Sequence, residues 1–267
     1  MSNLLKRSFS GIIFVLFFLT AILFSETSFV ILISLFGIVA IWELSKMTNF
    51  KSAITYILFG LTLFLMLKRP NSYAISLILG INILSSCYLI FQLFRKKEII
   101  YATEREKLGL TIRYLIFSFC FLILLPFHDQ NYTPYLMISV LVLIWVNDSF
   151  AFIVGKNFGK RKLFVSVSPK KTIEGFIGGF ICALITAYII SISSLNSTNF
   201  SLTNWFIIAA IVSIIGTIGD LVESKLKRQA NIKDSGTIMP GHGGILDRLD
   251  SLLFAAPFVY LYINFII

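Results

Sequence analysis

Residues 220–250 are DLVESKLKRQANIKDSGTIMPGHGGILDRLD, the most polar long stretch of a very apolar chain. The stretch contains five of the chain's 13 acidic residues and one of its two histidines, and apolar runs flank it on both sides. Charged side chains at a membrane boundary are costly to maintain, so a cluster of them calls for a functional explanation. We therefore expect a site for a divalent metal ion and phosphate in this stretch.

The composition places the rest of the chain in a membrane. Hydrophobic residues make up 57% of the 267 positions and the mean hydropathy is +0.88, which is too apolar for a soluble globular domain. Several apolar runs reach about 18 to 20 residues, the length that a helix needs to cross a bilayer core of about 30 Å. These features predict an all-α integral membrane protein, built as a polytopic helical bundle.

Nine apolar segments are candidate transmembrane helices. The third has only 15 residues, which is short for a helix that crosses the whole bilayer. The nine segments are 8–25, 28–44, 53–67, 73–94, 108–127, 134–154, 173–194, 204–223 and 252–267.

The basic residues support this count. If the N-terminus is cytoplasmic, 21 of the 23 Lys and Arg residues lie on the cytoplasmic side, and only Lys68 and Arg69 lie on the other. Because positive charge collects on the cytoplasmic side, the pattern predicts a cytoplasmic N-terminus and a multi-pass protein of the cell's inner (plasma) membrane. Basic loops beside anionic lipid then explain the net charge of +10, and we expect no nucleic-acid partner.

The chain is predicted to form a single polytopic membrane domain, 1–267, with two parts. Residues 1–107 hold the first spans and a cytoplasmic loop, of which 95–107 is expected to form an amphipathic surface helix. Residues 108–267 form a half with two polar cytoplasmic segments, and we expect these segments to carry the chemistry.

The first polar segment is 147–175. Asp148 lies near the end of the sixth predicted span, where a carboxylate is costly unless it is paired, hydrated or bound to metal. In the run Ser168-Pro169-Lys170-Lys171-Thr172, the proline disfavours helix before it, and Thr172 or Ser168 can cap the seventh span. Lysines at such a helix start favour an anion.

The second polar segment is the opening stretch. Asp220, Glu223, Ser224 and Lys227 share one face if the eighth span continues as a helix to about Gln229. The run 240–244, PGHGG, predicts a tight loop that backbone and ligand can approach closely.

Asp247 and Asp250 share a face at the start of the ninth predicted span. Two antiparallel helices could bring Asp220 and Asp247 together, and Mg²⁺ prefers such carboxylates together with phosphate oxygens of a substrate. The alternative is a set of helix-capping carboxylates and surface ion pairs, and the spacing alone does not decide between the two.

The same residues resemble a known family. Ser224-Lys-Leu-Lys227-Arg228, Lys233-Asp234 and His242-Gly243-Gly244-Ile-Leu-Asp247-Arg248-Leu-Asp250 resemble the signature of the phosphatidate cytidylyltransferases. Asp148, Ala151, Gly155, Gly159 and Ser168–Gly175 are similar to a second block of that family, and Trp42-Glu43 to a weaker feature. Met239 departs from the residue type expected before Pro240. The motifs cover the C-terminal half of the chain.

The resemblance implies a reaction. CTP and phosphatidic acid would give CDP-diacylglycerol and pyrophosphate in phospholipid biosynthesis, with Mg²⁺ as cofactor, at a cytoplasmic site open to the bilayer. A second cation and a homodimer are left open by the sequence.

The residue roles follow from the resemblance and from the charges. The expected metal ligands are Asp220, Asp247 and Asp250. The expected catalytic residues are Asp220, Asp247, Lys227, Arg228 and Arg248. The expected substrate-binding residues are Asp148, Ser168, Lys170, Lys171, Thr172, Ser224, Lys233, Asp234, His242, Gly243 and Gly244.

Two other functions stay as alternatives. One is a different metal-dependent membrane enzyme that acts on a phosphorylated or polyprenol lipid. The other is a transporter, although transporters place charges at the bilayer midplane and often contain inverted repeats. Here the charges gather at one membrane face and the sequence shows no repeat.

Overall fold

The computed structural model describes residues 3–68, 72–95, 98–99, 101–128, 131–239 and 243–267, with side chains from Ser10 onward. Ten α-helices account for most of these residues, and two short β-hairpins connect some of them. The helices are α1 (Asn3–Phe24), α2 (Glu26–Met47), α3 (Ala53–Lys68), α4 (Ser72–Phe94), α5 (Glu104–Leu110), α6 (Phe117–Leu124), α7 (Pro134–Phe158), α8 (Ile173–Ile192), α9 (Leu202–Gln229) and α10 (Leu246–Phe265). The strands are β1 (Phe127–His128), β2 (Asn131–Tyr132), β3 (Lys162–Phe164) and β4 (Ser168–Thr172).

Among the described residues, six helical segments are long and apolar enough to cross a membrane. They are α2, α4, the continuous segment Glu104–Leu124, α7, α8 and α9, while Ser10–Phe24 and α3 are shorter apolar helices. The predicted class, an all-α membrane protein, is therefore confirmed. The count of nine spans and the orientation of the N-terminus remain predictions.

The segment Glu104–Leu124 is the central helix of the bundle. A π-helical stretch, Thr111–Ile116, joins α5 to α6, and every residue from Ser118 to Leu125 is buried. A π-helical turn disturbs the regular backbone hydrogen bonds. The side-chain amide of Asn82 on α4 donates to the Arg113 carbonyl at 2.8 Å, so the neighbouring helix supplies a partner at this irregular stretch.

The predicted surface helix over 95–107 is wrong for most of the described residues of that segment. Helix α5 begins only at Glu104, because the Thr103 hydroxyl and the Glu106 carboxylate form a capping box there. Before it, the N–H and carbonyl of Ile99 bond the side-chain amide of Gln229 at 3.1 and 3.3 Å, so Ile99 is held in a non-helical position against the end of α9. Residues 96, 97 and 100 of the predicted helix lie outside the described part.

Small residues allow α7 and α8 to pack closely. A methyl group added at Gly179 would lie 2.5 Å from the Asn147 carbonyl oxygen, and one at Gly175 would lie 2.6 Å from the Ala151 carbonyl oxygen. Close approach of backbones through small residues is the usual way in which membrane helices associate. Helix α8 also packs against α9, and α9 against α10, so these four helices form the wall on which the polar segments are mounted.

The close contact of α7 and α8 predicts that an added methyl group changes stability at Gly179 but not at Gly80. Gly179→Ala should destabilise the protein by about 1–3 kcal/mol because the new methyl group overpacks a helix contact. Gly80→Ala in α4 is the matched control, because a methyl group there meets no atom within 4 Å. Thermal unfolding of the purified variants in detergent measures both. Equal unfolding temperatures for Gly179→Ala and the parent would contradict the close contact.

Candidate active site at the ends of helices α7, α9 and α10

A cavity of about 940 Å³ opens where the two polar segments meet. One part of its wall is apolar and includes Phe14, Val15 and Phe18 of α1 together with Phe152 and Phe176. The other part is charged, and its residues are Asp148, Lys156, Lys162, Lys170, Lys171, Asp220, Lys227, Asp234, Asp247, Arg248 and Asp250. The cavity can therefore receive a ligand with one apolar end and one anionic end.

The β3–β4 hairpin carries the lysines of the first polar segment. Its strands pair Lys162 with Thr172, and the Glu174 carboxylate accepts the N–H groups of Lys160 (3.0 Å) and Arg161 (3.1 Å) at the base. The Thr172 hydroxyl accepts from Gly175 N–H at 3.1 Å, which confirms the predicted cap of the following helix. The sequence did not predict the hairpin itself, because its strands are short and Pro169 lies within one of them.

One ion pair joins the two polar segments. The Lys171 ammonium on β4 lies 2.5 Å from Asp220 Oδ2 on α9. The other oxygen of Asp220 accepts a hydrogen bond from the Ser224 hydroxyl at 3.1 Å. Asp148 on α7 lies beside them in the cavity wall, where the Asn147 side-chain amide donates to it at 3.2 Å. The two polar segments of the sequence therefore meet in one part of the cavity wall.

A buried ammonium links α9 to α10. Helix α9 continues to Gln229 as predicted, and Lys227 lies on it one turn after Glu223. The Lys227 Nζ contacts Glu223 Oε2 at 2.5 Å and Asp247 Oδ1 at 2.6 Å. The Glu223 side chain is fully buried and the other two side chains are nearly so, so each carboxylate needs this cation to remain charged.

The second oxygen of Asp247 organises the loop before α10. Its Oδ2 accepts hydrogen bonds from Gly244 N–H (2.7 Å), Ser235 N–H (2.8 Å) and the Ser235 hydroxyl (3.0 Å). Burial by itself raises the pKa of the Asp247 carboxyl, but the Lys227 ammonium and these donors outweigh it. The pKa of Asp247 therefore lies below its ordinary value, and the group is ionised at neutral pH.

Gly243 precedes this turn with φ +83°, a conformation that glycine adopts without strain. A side chain there would also collide with the Asp247 carboxylate. The predicted tight glycine loop is present in its described residues. His242 lies outside the described residues, so the predicted role of this histidine has no structural counterpart here.

Asp250 is one turn further along α10, just before the predicted span 252–267. Only 9% of the residue is exposed, and its Oδ1 accepts the N–H of Ser251 at 2.6 Å. Burial and the neighbouring Asp220 carboxylate raise the pKa of Asp250 above its ordinary value. A cation placed between these carboxylates would relieve that repulsion.

The cavity brings together most of the predicted site residues. The lining contains Asp148, Lys170, Lys171, Thr172, Asp220, Lys227, Asp234, Asp247, Arg248 and Asp250. Six other predicted residues lie outside it: Ser168, Ser224, Arg228, Lys233, Gly243 and Gly244. Of these six, Ser224 and Gly244 bond lining carboxylates, whereas Arg228 is exposed and donates to the Ile232 carbonyl at 3.4 Å.

The donor set of the cavity matches a hard divalent cation only in part. Within the described ranges, no three His, Cys, Asp or Glu side chains converge closely enough to hold a metal ion by themselves. The acidic groups in the wall all offer oxygen, and Mg²⁺ usually takes one or two carboxylates together with water and substrate phosphate oxygens. The residues therefore fit an ion that shares its ligands with a bound nucleotide.

Three polar residues of this region were not predicted as site residues. Glu43 on α2 accepts hydrogen bonds from Ile245 N–H and from the Ser235 hydroxyl, both in the loop before α10. Glu223 accepts a hydrogen bond from Lys227. The sequence signal for Glu223 was its helical spacing from Asp220 and Lys227. For Glu43 the signal was a lone carboxylate inside the apolar run of α2, which is costly unless it is paired.

Comparisons with known proteins find similarity to cytidylyltransferases over nearly the whole chain. The Cytidylyltransferase family profile matches residues 5–266. The phosphatidate cytidylyltransferase of Bacillus subtilis (strain 168) is 36% identical over 271 residues, covering 97% of each chain. That of Staphylococcus haemolyticus (strain JCSC1435) is 33% identical over 256 residues, covering 94% of this chain and 95% of that protein. That of Staphylococcus saprophyticus is 47% identical over 125 residues, covering 46% of each.

The buried ammonium predicts a stability effect. Lys227→Met should destabilise the protein by about 3–5 kcal/mol, because it leaves two buried carboxylates without their cation. Arg228→Met is the matched control, since its side chain is exposed and, within the described part of the chain, donates one long hydrogen bond to the Ile232 carbonyl just beyond the end of α9. Thermal unfolding in detergent without substrates measures both variants. Equal losses in the two variants would contradict the role assigned to Lys227.

Proposed function

Because the chain belongs to the cytidylyltransferase family, we propose that its cavity transfers the cytidylyl group of CTP to phosphatidic acid. The products are CDP-diacylglycerol and pyrophosphate. The observation that carries this conclusion is the similarity to phosphatidate cytidylyltransferases over nearly the whole length of both chains. The cavity supports it independently, because its lining combines apolar and charged side chains around a single space.

The reaction needs charge neutralisation more than a base. A phosphate oxygen of phosphatidic acid forms a bond to the α-phosphorus of CTP, and the bond from that phosphorus to the bridging oxygen of pyrophosphate breaks. The attacking oxygen is already anionic at neutral pH, so no proton has to be removed from it. Two anions must instead approach each other, and fixed cations lower the cost of the charge that gathers in the transition state.

The cations of the cavity divide into two groups. Lys227 is held between Glu223 and Asp247, and Lys171 is paired with Asp220, so their charges are largely compensated within the protein. Lys156, Lys162, Lys170 and Arg248 also line the cavity and are exposed. We assign the phosphates of CTP to this second group, with Lys171 joining it when a ligand displaces Asp220.

The remaining predicted residues act at a distance or through the loop. Arg228 and Lys233 are exposed outside the lining, so they attract the anionic nucleotide by their field instead of contacting its reacting phosphorus. Ser224 orients Asp220, and Gly243 and Gly244 permit the turn that brings Asp247 into the cavity wall.

Mg²⁺ is the proposed cofactor, and Asp220, Asp250 and Asp247 are the residues that would hold it. When bound, the ion supplies positive charge to phosphate oxygens and orients the polyphosphate. A second cation and a homodimer remain predictions.

The apolar wall suits the lipid substrate. Phe14, Val15 and Phe18 of α1 and Phe152 of α7 all line the cavity, and they can contact acyl chains while the charged residues receive the headgroup phosphate. The site is therefore proposed to lie at the cytoplasmic face of a multi-pass protein with nine spans and a cytoplasmic N-terminus. That arrangement gives the cavity access to lipid on one side and to CTP on the other.

The proposed reaction predicts CTP-dependent conversion of phosphatidic acid by the purified protein in detergent, with loss of activity in EDTA. Asp247→Asn should lower turnover by at least about 1,000-fold, because it removes a charge from the metal and loop network. Glu104→Gln is the matched control, since this carboxylate is exposed and, among the described residues, pairs only with Lys107 on its own helix. Product formation is followed with radiolabelled CTP. No CDP-diacylglycerol from the parent protein with Mg²⁺ present would refute the proposed function.

The proposed topology predicts opposite accessibility for two loops. In a background without Cys87, Cys120 and Cys182, Ser197→Cys should react with a membrane-impermeant maleimide in intact cells, because residues 195–203 are expected outside. Ser166→Cys, at the tip of the β3–β4 hairpin, should react only after permeabilisation. Both serines are exposed, so access alone decides the outcome. The reverse pattern of labelling would show that the protein has the opposite orientation in the membrane.

A further inference from the structure

Glu43 lies on α2, far along the chain from both polar segments, yet it is fully buried against the second of them. Its Oε1 accepts the N–H of Ile245 at 3.0 Å, and its Oε2 accepts the N–H of Leu246 at 2.8 Å. The Ser235 hydroxyl lies 3.0 Å from the same Oε2. Both oxygens of this carboxylate are therefore used by the loop and helix start that carry Asp247.

The two N–H groups are those that the start of a helix cannot satisfy within itself. Helix α10 begins at Leu246, and Ile245 in the capping position makes no side-chain cap. A carboxylate at this point serves as the missing cap and interacts favourably with the positive end of the helix dipole. Glu43 thus caps α10 from a different helix of the bundle.

The loop is shaped around this carboxylate. A methyl group added at Gly236 or at Gly244 would collide with Glu43 Oε1. The Ser235 hydroxyl also lies 3.0 Å from Asp247 Oδ2, so one side chain connects the Glu43 carboxylate to the Asp247 carboxylate. Asp247 in turn contacts the Lys227 ammonium. The cap and the charged wall of the cavity therefore belong to one continuous network.

We propose that Glu43 is a positioning residue: by holding Ser235, Ile245 and Leu246, it places Asp247 opposite Lys227 in the geometry that cytidylyl transfer requires. Glu43 does not line the cavity, so it acts through Asp247 and not on the substrate. The inference rests on the proposed function for its kinetic consequence, whereas its structural content stands on the hydrogen bonds alone.

Glu43→Gln is the informative change, because it keeps the volume and turns one acceptor into a donor that faces a backbone N–H. Turnover should fall roughly 10- to 100-fold, as is typical when the partner that orients a reactive group is lost. The KM for phosphatidic acid should stay within about twofold, because Glu43 makes no contact with that substrate. Glu43→Asp keeps the charge and should restore part of the loss.

Ser34→Ala is the matched control on the same helix, since the Ser34 hydroxyl bonds only the Val30 carbonyl of α2 among the residues that the structure describes. It should keep the parent turnover. A double-mutant cycle with Ser235→Ala separates positioning from general damage, because residues in one network lose their effects together. The double variant should be no slower than Glu43→Gln alone.

Two results would overturn the inference. One is parent turnover in Glu43→Gln, whether or not its unfolding temperature falls. The other is a double variant whose loss of turnover equals the product of the losses in Glu43→Gln and Ser235→Ala. If Glu43→Gln does not accumulate in membranes, Ser235→Ala reports on the same network, and parent turnover in that variant would also refute it. Hydrogen exchange at the Ile245 and Leu246 amides separates this inference from the proposed function. Faster exchange in Glu43→Gln supports the cap even if the parent protein proves inactive with CTP, and unchanged exchange refutes the cap.

Discussion

The contact of Lys227 with Glu223 and Asp247 determines how the polar residues of this protein can be arranged. Glu223 is fully buried, and a buried carboxylate without a cation costs several kcal/mol, so α9 and α10 must keep the ammonium between them. With one oxygen of Asp247 committed to Lys227, the other is directed at Ser235 and Gly244 and holds the loop. The arrangement of the charged wall therefore depends on the Lys227 ammonium and on the loop backbone that binds Asp247.

The charged wall also depends on close packing elsewhere. Glycines at 175 and 179 let α7 and α8 approach to backbone contact, and this places Asp148 beside the hairpin that carries Lys171. The hairpin itself is tied to the start of α8 by Glu174 and by the Thr172 cap. As a result, Lys171 reaches Asp220 on a different helix, and the two polar segments of the sequence form a single wall.

The features that could be predicted from sequence were those governed by local physical chemistry. The apolar runs predicted the helices, the threonine after Pro169 predicted the cap of α8, and the spacing of Asp220 and Lys227 predicted their common face. The carboxylate of Glu43 could not be matched to its partners, because they lie 192 to 203 residues further along the chain and are mostly backbone N–H groups, which every residue possesses. The non-helical position of Ile99 was also missed because its partner, the side chain of Gln229, is distant in sequence.

The pairing of charges inside the cavity bears on how an enzyme can join two anionic substrates. Lys171 and Lys227 are paired with Asp220, Glu223 and Asp247, so two cations compensate part of the charge of three carboxylates when no substrate is bound. A phosphate that takes Lys171 from Asp220 leaves that carboxylate in need of another cation, which couples anion binding to cation binding. Lys227 cannot be released in the same way, because Glu223 is fully buried and would lose its only cationic contact among the described residues. The exchangeable pair at Lys171 and the permanent one at Lys227 thus have different tasks, the first in binding and the second in holding the geometry.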